Sequence, residues 1–158
     1  MDRYYVLHER IIELIRERRF QDVVAAVGET IPLYKDLVRK TKREYGSFDL
    51  ETSVAIAKGG KVAAALGRQD MLRELERTLR EIQETHIWAE DVANLVEDAE
   101  IGNRIVQLVE MNSGVSQSEL KERLAFQDGG RFSNIVYWLE KVGRIKRERE
   151  GKSYRLMI

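Results

Sequence analysis

The chain has 158 residues, with 27 Lys plus Arg against 27 Asp plus Glu, 43% hydrophobic residues and no Cys. A compact unit of this length buries roughly 70% of its unfolded surface and folds without covalent staples, and the lack of Cys excludes disulfides, thiolate metal sites and thiol nucleophiles. No apolar run approaches the roughly 18 residues of a membrane span, and Met1-Asp2-Arg3-Tyr4-Tyr5 lacks the order of a signal peptide, so a cytoplasmic protein without membrane contact is expected.

One Pro among residues dominated by Leu, Ile, Ala, Glu, Arg and Lys predicts a mainly α fold. Tyr4, Leu7, Ile11, Leu14 and Ile15 recur at spacings of three and four, the signature of an amphipathic first helix. Arg16 to Arg19 interrupts it. Phe20, Val23, Val24 and Val27 restart the period as a short second helix, and Pro32 is expected in the first turn of a third, with Leu33, Leu37, Val38 and Tyr45 as its buried stripe and Gly46 as its end. Ser47 or Asp49 can cap a fourth helix to about Leu66, whose apolar face carries Ala55, Ala57, Gly59, Gly60, Ala63, Ala64 and Ala65. Gly67 stops it, and Met71, Leu72, Leu75, Leu79 and Ile82 mark a fifth helix, Trp88, Val92, Leu95 and Val96 a sixth. The tetratricopeptide signature is not met, because Glu74 and Thr78 stand where it wants Ala and an aromatic residue, so residues 1–98 read as an irregular α-helical hairpin or bundle domain.

A second pattern begins near Ala99. Ile101, Ile105, Leu108 and Val109 form a helix closed by Asn112-Ser113-Gly114, and Ser116-Gln117-Ser118-Glu119 is a capping box opening a short helix through Leu120 and Leu124. Asp128-Gly129-Gly130 is read as a turn, after which Phe132, Ile135, Val136, Leu139 and Val142 repeat helically up to Gly143. From Ile145 the period becomes two: Ile145, Arg147 and Arg149 alternate with Lys146 and Glu148, Glu150-Gly151 turns, and Tyr154 and Leu156 resume, predicting a β-hairpin.

These segments, with Leu139-Glu140-Lys141-Val142-Gly143-Arg144-Ile145 running from helix end into strand, resemble a winged helix-turn-helix domain over residues 99–158, about sixty of the 158. The resemblance implies three helices plus a hairpin wing and DNA binding, usually as a homodimer, by a transcription regulator. If Phe132, Ile135, Val136 and Leu139 pack inward, Arg131, Ser133, Asn134 and Tyr137 point outward at the end such motifs present to the major groove, where Arg reads guanine and Asn reads adenine. Trp138 is expected to be partly buried.

Charge agrees with that division. Residues 1–98 carry 16 basic and 19 acidic side chains, residues 99–158 carry 11 and 8, and residues 131–158 alone carry eight and three. Neutrality is a cancellation, and Lys146, Arg147, Arg149 and Lys152 are the expected phosphate contacts of the wing. Charge on an edge strand also serves to prevent aggregation. Arg outnumbers Lys eighteen to nine, which suits guanidinium recognition of phosphate and guanine, although codon bias produces the same ratio.

Catalysis, cofactors and metals are not expected. His8 and His86 are the only histidines, His8-Glu9 lacks a second His four residues on, and Gly59-Gly60-Lys61 has Ala55 and Val62 where a phosphate loop needs Gly and Ser or Thr. Two other readings stay open. One is a scaffold of PCI-like layout, helical repeat plus winged helix, binding protein partners through the N-terminal helices; the other is an RNA or single-strand binder using Tyr137, Trp138 and Tyr154 as stacking surfaces.

Overall fold

The computed structural model describes residues 3–40, 50–82 and 87–158. In chain order they form α1 (Arg3–Arg16), α2 (Phe20–Lys40), α3 (Leu50–Ala65), α4 (Gln69–Ile82), α5 (Ile87–Met111), β1 (Val115–Ser116), α6 (Gln117–Arg123), α7 (Gly129–Lys141), β2 (Lys146–Glu150) and β3 (Ser153–Met157). The protein is mainly helical with one small antiparallel sheet of order β1-β3-β2. The capping residues expected at Ser47 or Asp49, the expected helix end at Tyr45 and Gly46, and His86 lie outside the described residues.

α1 and α2 pair as the periodicity predicts, burying Ile11, Leu14 and Ile15 against Val23, Val24 and Val27. Arg18 between them adopts a left-handed φ of 58° while the Arg19 N–H bonds Leu14 O at 2.9 Å, which closes the end of α1 without a glycine.

Pro32 does not open a new helix. It lies inside the 21-residue α2, flanked by the buried side chains of Ile31 and Tyr34. Proline costs about 3 kcal/mol in a helix interior, by removing one backbone bond and crowding the carbonyl four residues before. Here that residue is Gly28, and burial of Val23, Val24, Val27, Ile31 and Tyr34 along one stripe outweighs the loss.

The small-residue face of α3 lets it pack against α1, α2, α4 and α5. A Cβ on Gly59 would lie 2.7 Å from Val27 Cγ2, and one on Gly60 2.6 Å from Leu95 Cδ1, so both glycines serve close helix approach. α5 corrects a larger expectation. Two separate helices were predicted on either side of residue 98, yet one 25-residue helix runs through it. Val92, Leu95 and Ala99 belong to the N-terminal core, and Ile105, Val106 and Val109 to a second core with Phe132, Ile135, Val136, Leu139 and Leu156. Glu97-Asp98-Ala99-Glu100 contains no stop residue, so the helix continues while its burial changes partner.

Buried His8 Nε2 and the Tyr34 hydroxyl lie 2.5 Å apart between α1 and α2. Burial pushes the Tyr34 phenol well above its ordinary value, against a smaller opposing effect of Thr30. The folded state therefore holds that proton more tightly than the unfolded chain, and this stabilisation, complete below about pH 10, is lost as pH rises beyond it. Tyr34→Phe is expected to lower unfolding free energy by about 1 kcal/mol at pH 7, with the deficit shrinking at alkaline pH. Urea denaturation at pH 7 and in alkaline buffer checks this; a deficit that stays constant contradicts it.

Candidate nucleic-acid interface

Ser116 caps α6 by accepting the Glu119 N–H at 3.0 Å. Only half of the expected capping box forms, because the Glu119 carboxylate accepts from Arg123 at 2.9 Å instead of reaching back. The link to α7 turns through Ala125 at φ 50°, and the Phe126 ring lies 5.6 Å from that of Phe132. Asp128 is the N-cap of α7, accepting the Arg131 N–H at 3.0 Å. Gly129 and Gly130, expected in a turn, are thus the first residues of the helix.

β1, which no periodicity announced, pairs Val115 with Leu156 and Ser116 with Arg155. The hairpin turn is Gly151-Lys152, one residue later than predicted, because Glu150 pairs with Ser153. Gly151 takes φ 59° while Lys152 has no positive φ, the combination of a type II′ turn. Arg147 pairs with buried Leu156 and Arg149 with Tyr154, so these share the sheet face turned to the core. Lys146, Glu148 and Arg155 occupy the opposite face, which takes Lys146 away from the side on which Arg147 and Arg149 lie.

Two predicted contacts are already occupied. Arg131 donates from Nε to Asp98 Oδ1 at 2.7 Å and from Nη2 to Asn94 O and Glu97 Oε2, both at 3.2 Å. Its guanidinium is bound to α5 and not presented to a groove. Burial raises the Asp98 pKa, against the opposing pull of Arg131. Arg147 forms a two-pronged pair with Glu140 Oε1 at 3.2 and 3.1 Å, its backbone N–H bonds Glu140 Oε2 at 3.2 Å, and its guanidinium lies 4.7 Å from the Tyr154 ring. With the Arg147 side chain only 18% exposed, the pair fastens β2 to α7. Arg155 pairs with Glu150, and Arg144 donates to Ala65 O at 2.9 Å and Asn103 Oδ1 at 3.0 Å, joining the end of α7 to α3 and α5.

The remaining predicted residues are outward. Ser133, Asn134 and Tyr137 are exposed on α7, and Lys146, Arg149 and Lys152 on the hairpin, where Arg149 Nε donates to Gly151 O at 3.3 Å. Trp138 is partly buried against the N-terminal core, and Lys141 Nζ stands 4.7 Å from its ring.

A cleft of about 390 Å³ opens where three elements meet: Gln117, Ser118 and Lys121 of α6, Gly129, Phe132 and Ser133 of α7, and Lys152, Ser153 and Tyr154 of the hairpin. No carboxylate lines it. Two ammonium groups and several hydroxyls there can bind an anionic oxygen without displacing an acid. Gln117 Oε1 is buried with no hydrogen-bond partner. Gln117, Ser118 and Lys121 were not among the predicted contacts; the signal available was their place in the first turns of a capped helix, upstream of residues 131–158 in which the basic excess is concentrated.

Among the described residues no helix is long and apolar enough to cross a membrane, and no cluster of three His, Asp or Glu could hold a metal. Compared with known proteins, the chain matches no protein-family model, no curated protein and no solved structure.

Proposed function

We propose that the chain is a DNA-binding protein of winged-helix layout, a transcription regulator that seats a duplex against α7, α6 and the hairpin turn. The observation that carries this reading is the acid-free cleft holding Lys121 and Lys152 beside exposed Ser133. Around it the outward stripe of α7 adds Asn134 and Tyr137, which suit base edges and sugar-phosphate, and Arg149 sits at the hairpin end. Lys121, Arg149 and Lys152 supply phosphate contacts, whereas Arg131 and Arg147 hold the reading surface in place. The N-terminal helices are the mount and the surface for a second copy, since two half-sites raise affinity and set spacing.

Titration of the full chain with a labelled duplex at several salt concentrations tests this. Affinity should fall with salt at a log–log slope of about −0.9 per phosphate neutralised. Absence of duplex binding at low salt removes the reading. It would favour the scaffold layout, which draws support from the ties of Arg131, Arg144 and Trp138 to the N-terminal helices.

A further inference from the structure

The turn between α1 and α2 ends beside α7. Arg18 Nη2 donates to Lys141 O, at the C-terminal end of α7, at 3.5 Å. Charge at this corner has one sign. Arg19 is paired with Asp22 at 2.8 Å and with Glu17 at 3.5 Å, which occupies both carboxylates flanking the turn. Arg16, Arg18 and Lys141 form no ion pair among the described residues. Lys141 Nζ lies 5.7 Å from the Tyr137 ring and 4.7 Å from the Trp138 ring, and Arg18 Cζ 6.0 Å from the Phe20 ring, contacts that leave the positive charges uncompensated.

Arg18 also breaks a local rule. At φ 58° a side chain is strained where glycine is not, and its own contacts are weak, a long hydrogen bond at the surface and a distant ring. A cation held there against backbone preference points to a use outside the fold. The length of α7 relates this corner to the cleft. Gly129 and Ser133, in the first turns of α7, line the cleft, Arg18 meets the last residue, and 13 helical residues rise about 20 Å between them. A major groove is about 12 Å wide, so a helix of that length seated in it has a phosphate backbone near each end. We infer that the α1–α2 turn is a second phosphate contact of the same duplex, Arg16, Arg18 and Lys141 meeting one backbone while Lys121 and Lys152 meet the other. This rests on the DNA reading and brings the N-terminal helices into the contact, although residues 1–98 are acidic in total.

The test is Arg18→Gly in the full chain, titrated with two unrelated labelled duplexes at several salt concentrations beside the parent. Glycine relieves the left-handed strain, so the melting temperature should hold or rise. Duplex affinity should nevertheless fall about eightfold at 0.1 M salt, with the log–log salt slope flatter by about 0.9, and equally on both duplexes because phosphates carry no base identity. Arg18→Lys, which keeps the charge, should retain affinity and slope. Combination with the Lys121 and Lys152 changes should multiply the losses, as for two distant and independent contacts. If the parent binds duplex and Arg18→Gly matches its affinity and slope, the turn is no contact and the DNA reading stands without it. A loss confined to one duplex likewise overturns the phosphate role. A parent that binds no duplex at low salt removes both readings, so the two failures are told apart by the parent.

Discussion

Replacing Lys121 and Lys152 together by Ala is expected to lower duplex affinity by roughly sixtyfold at 0.1 M salt and to flatten the log–log salt slope by about 1.8. The magnitude follows from counterion release. Each neutralised phosphate contributes a slope near 0.9, so between 1 M and 0.1 M salt one contact is worth about a factor of eight, and two contacts multiply. The loss should be similar on every sequence, because phosphates carry no base identity. Tyr137→Ala, by contrast, should leave the salt slope unchanged while altering the ranking of duplexes. Fluorescence anisotropy at four salt concentrations on two unrelated duplexes separates these outcomes. If the double variant binds as tightly as the parent with the same slope, the cleft between α6, α7 and the hairpin is not where phosphate sits.

Arg131→Ala carries the second large effect, and it falls on stability. Sequence alone made Arg131 a guanine reader; the structure gives its guanidinium three acceptors on α5, with its side chain 31% exposed and that of Asp98 19% exposed. An exposed ion pair is worth at most about 1 kcal/mol, but removing one partner of a half-buried, hydrogen-bonded pair leaves the other charge stranded. A loss of about 1.5–3 kcal/mol is therefore expected, out of the roughly 5–15 kcal/mol that holds a domain of this size. Urea denaturation of Arg131→Ala, Asp98→Ala and the double variant measures the coupling directly. A stability equal to the parent's, with affinity lost only on particular duplexes, would return Arg131 to base reading.

Much of the fold was legible because it rests on local pattern. The period of α1, the stop at Gly67, the cap at Ser116 and the switch from helix to alternation at Ile145 each depend on residues a few positions apart. Errors arose where a distant partner overrode a local signal. Pro32 reads as a helix start, and the buried stripe from Val23 to Tyr34 carries α2 through it. Residues 97–100 read as a gap between two helices because the apolar stripe changes phase near Ala99, yet backbone bonds need no continuous stripe to carry one helix through. β1 is two residues long and exists only because β3 offers it an edge.

The candidate site divides in the same way. Sequence by itself determined which face of α7 is outward, that a basic hairpin follows it, and that the chain's neutrality is a cancellation between two regions. Which of those cations are available was decided only by tertiary structure, since an arginine's partners are set by whatever carboxylate the fold brings within reach. Glu140 is seven residues from Arg147 and Asp98 is thirty-three from Arg131, spacings that no local pattern reads as a pair. The same packing brought Lys121, on a helix read only for its cap, beside Lys152 in a cleft without acids. Charge composition is additive along a chain, whereas the field at a surface depends on which charges have already been neutralised.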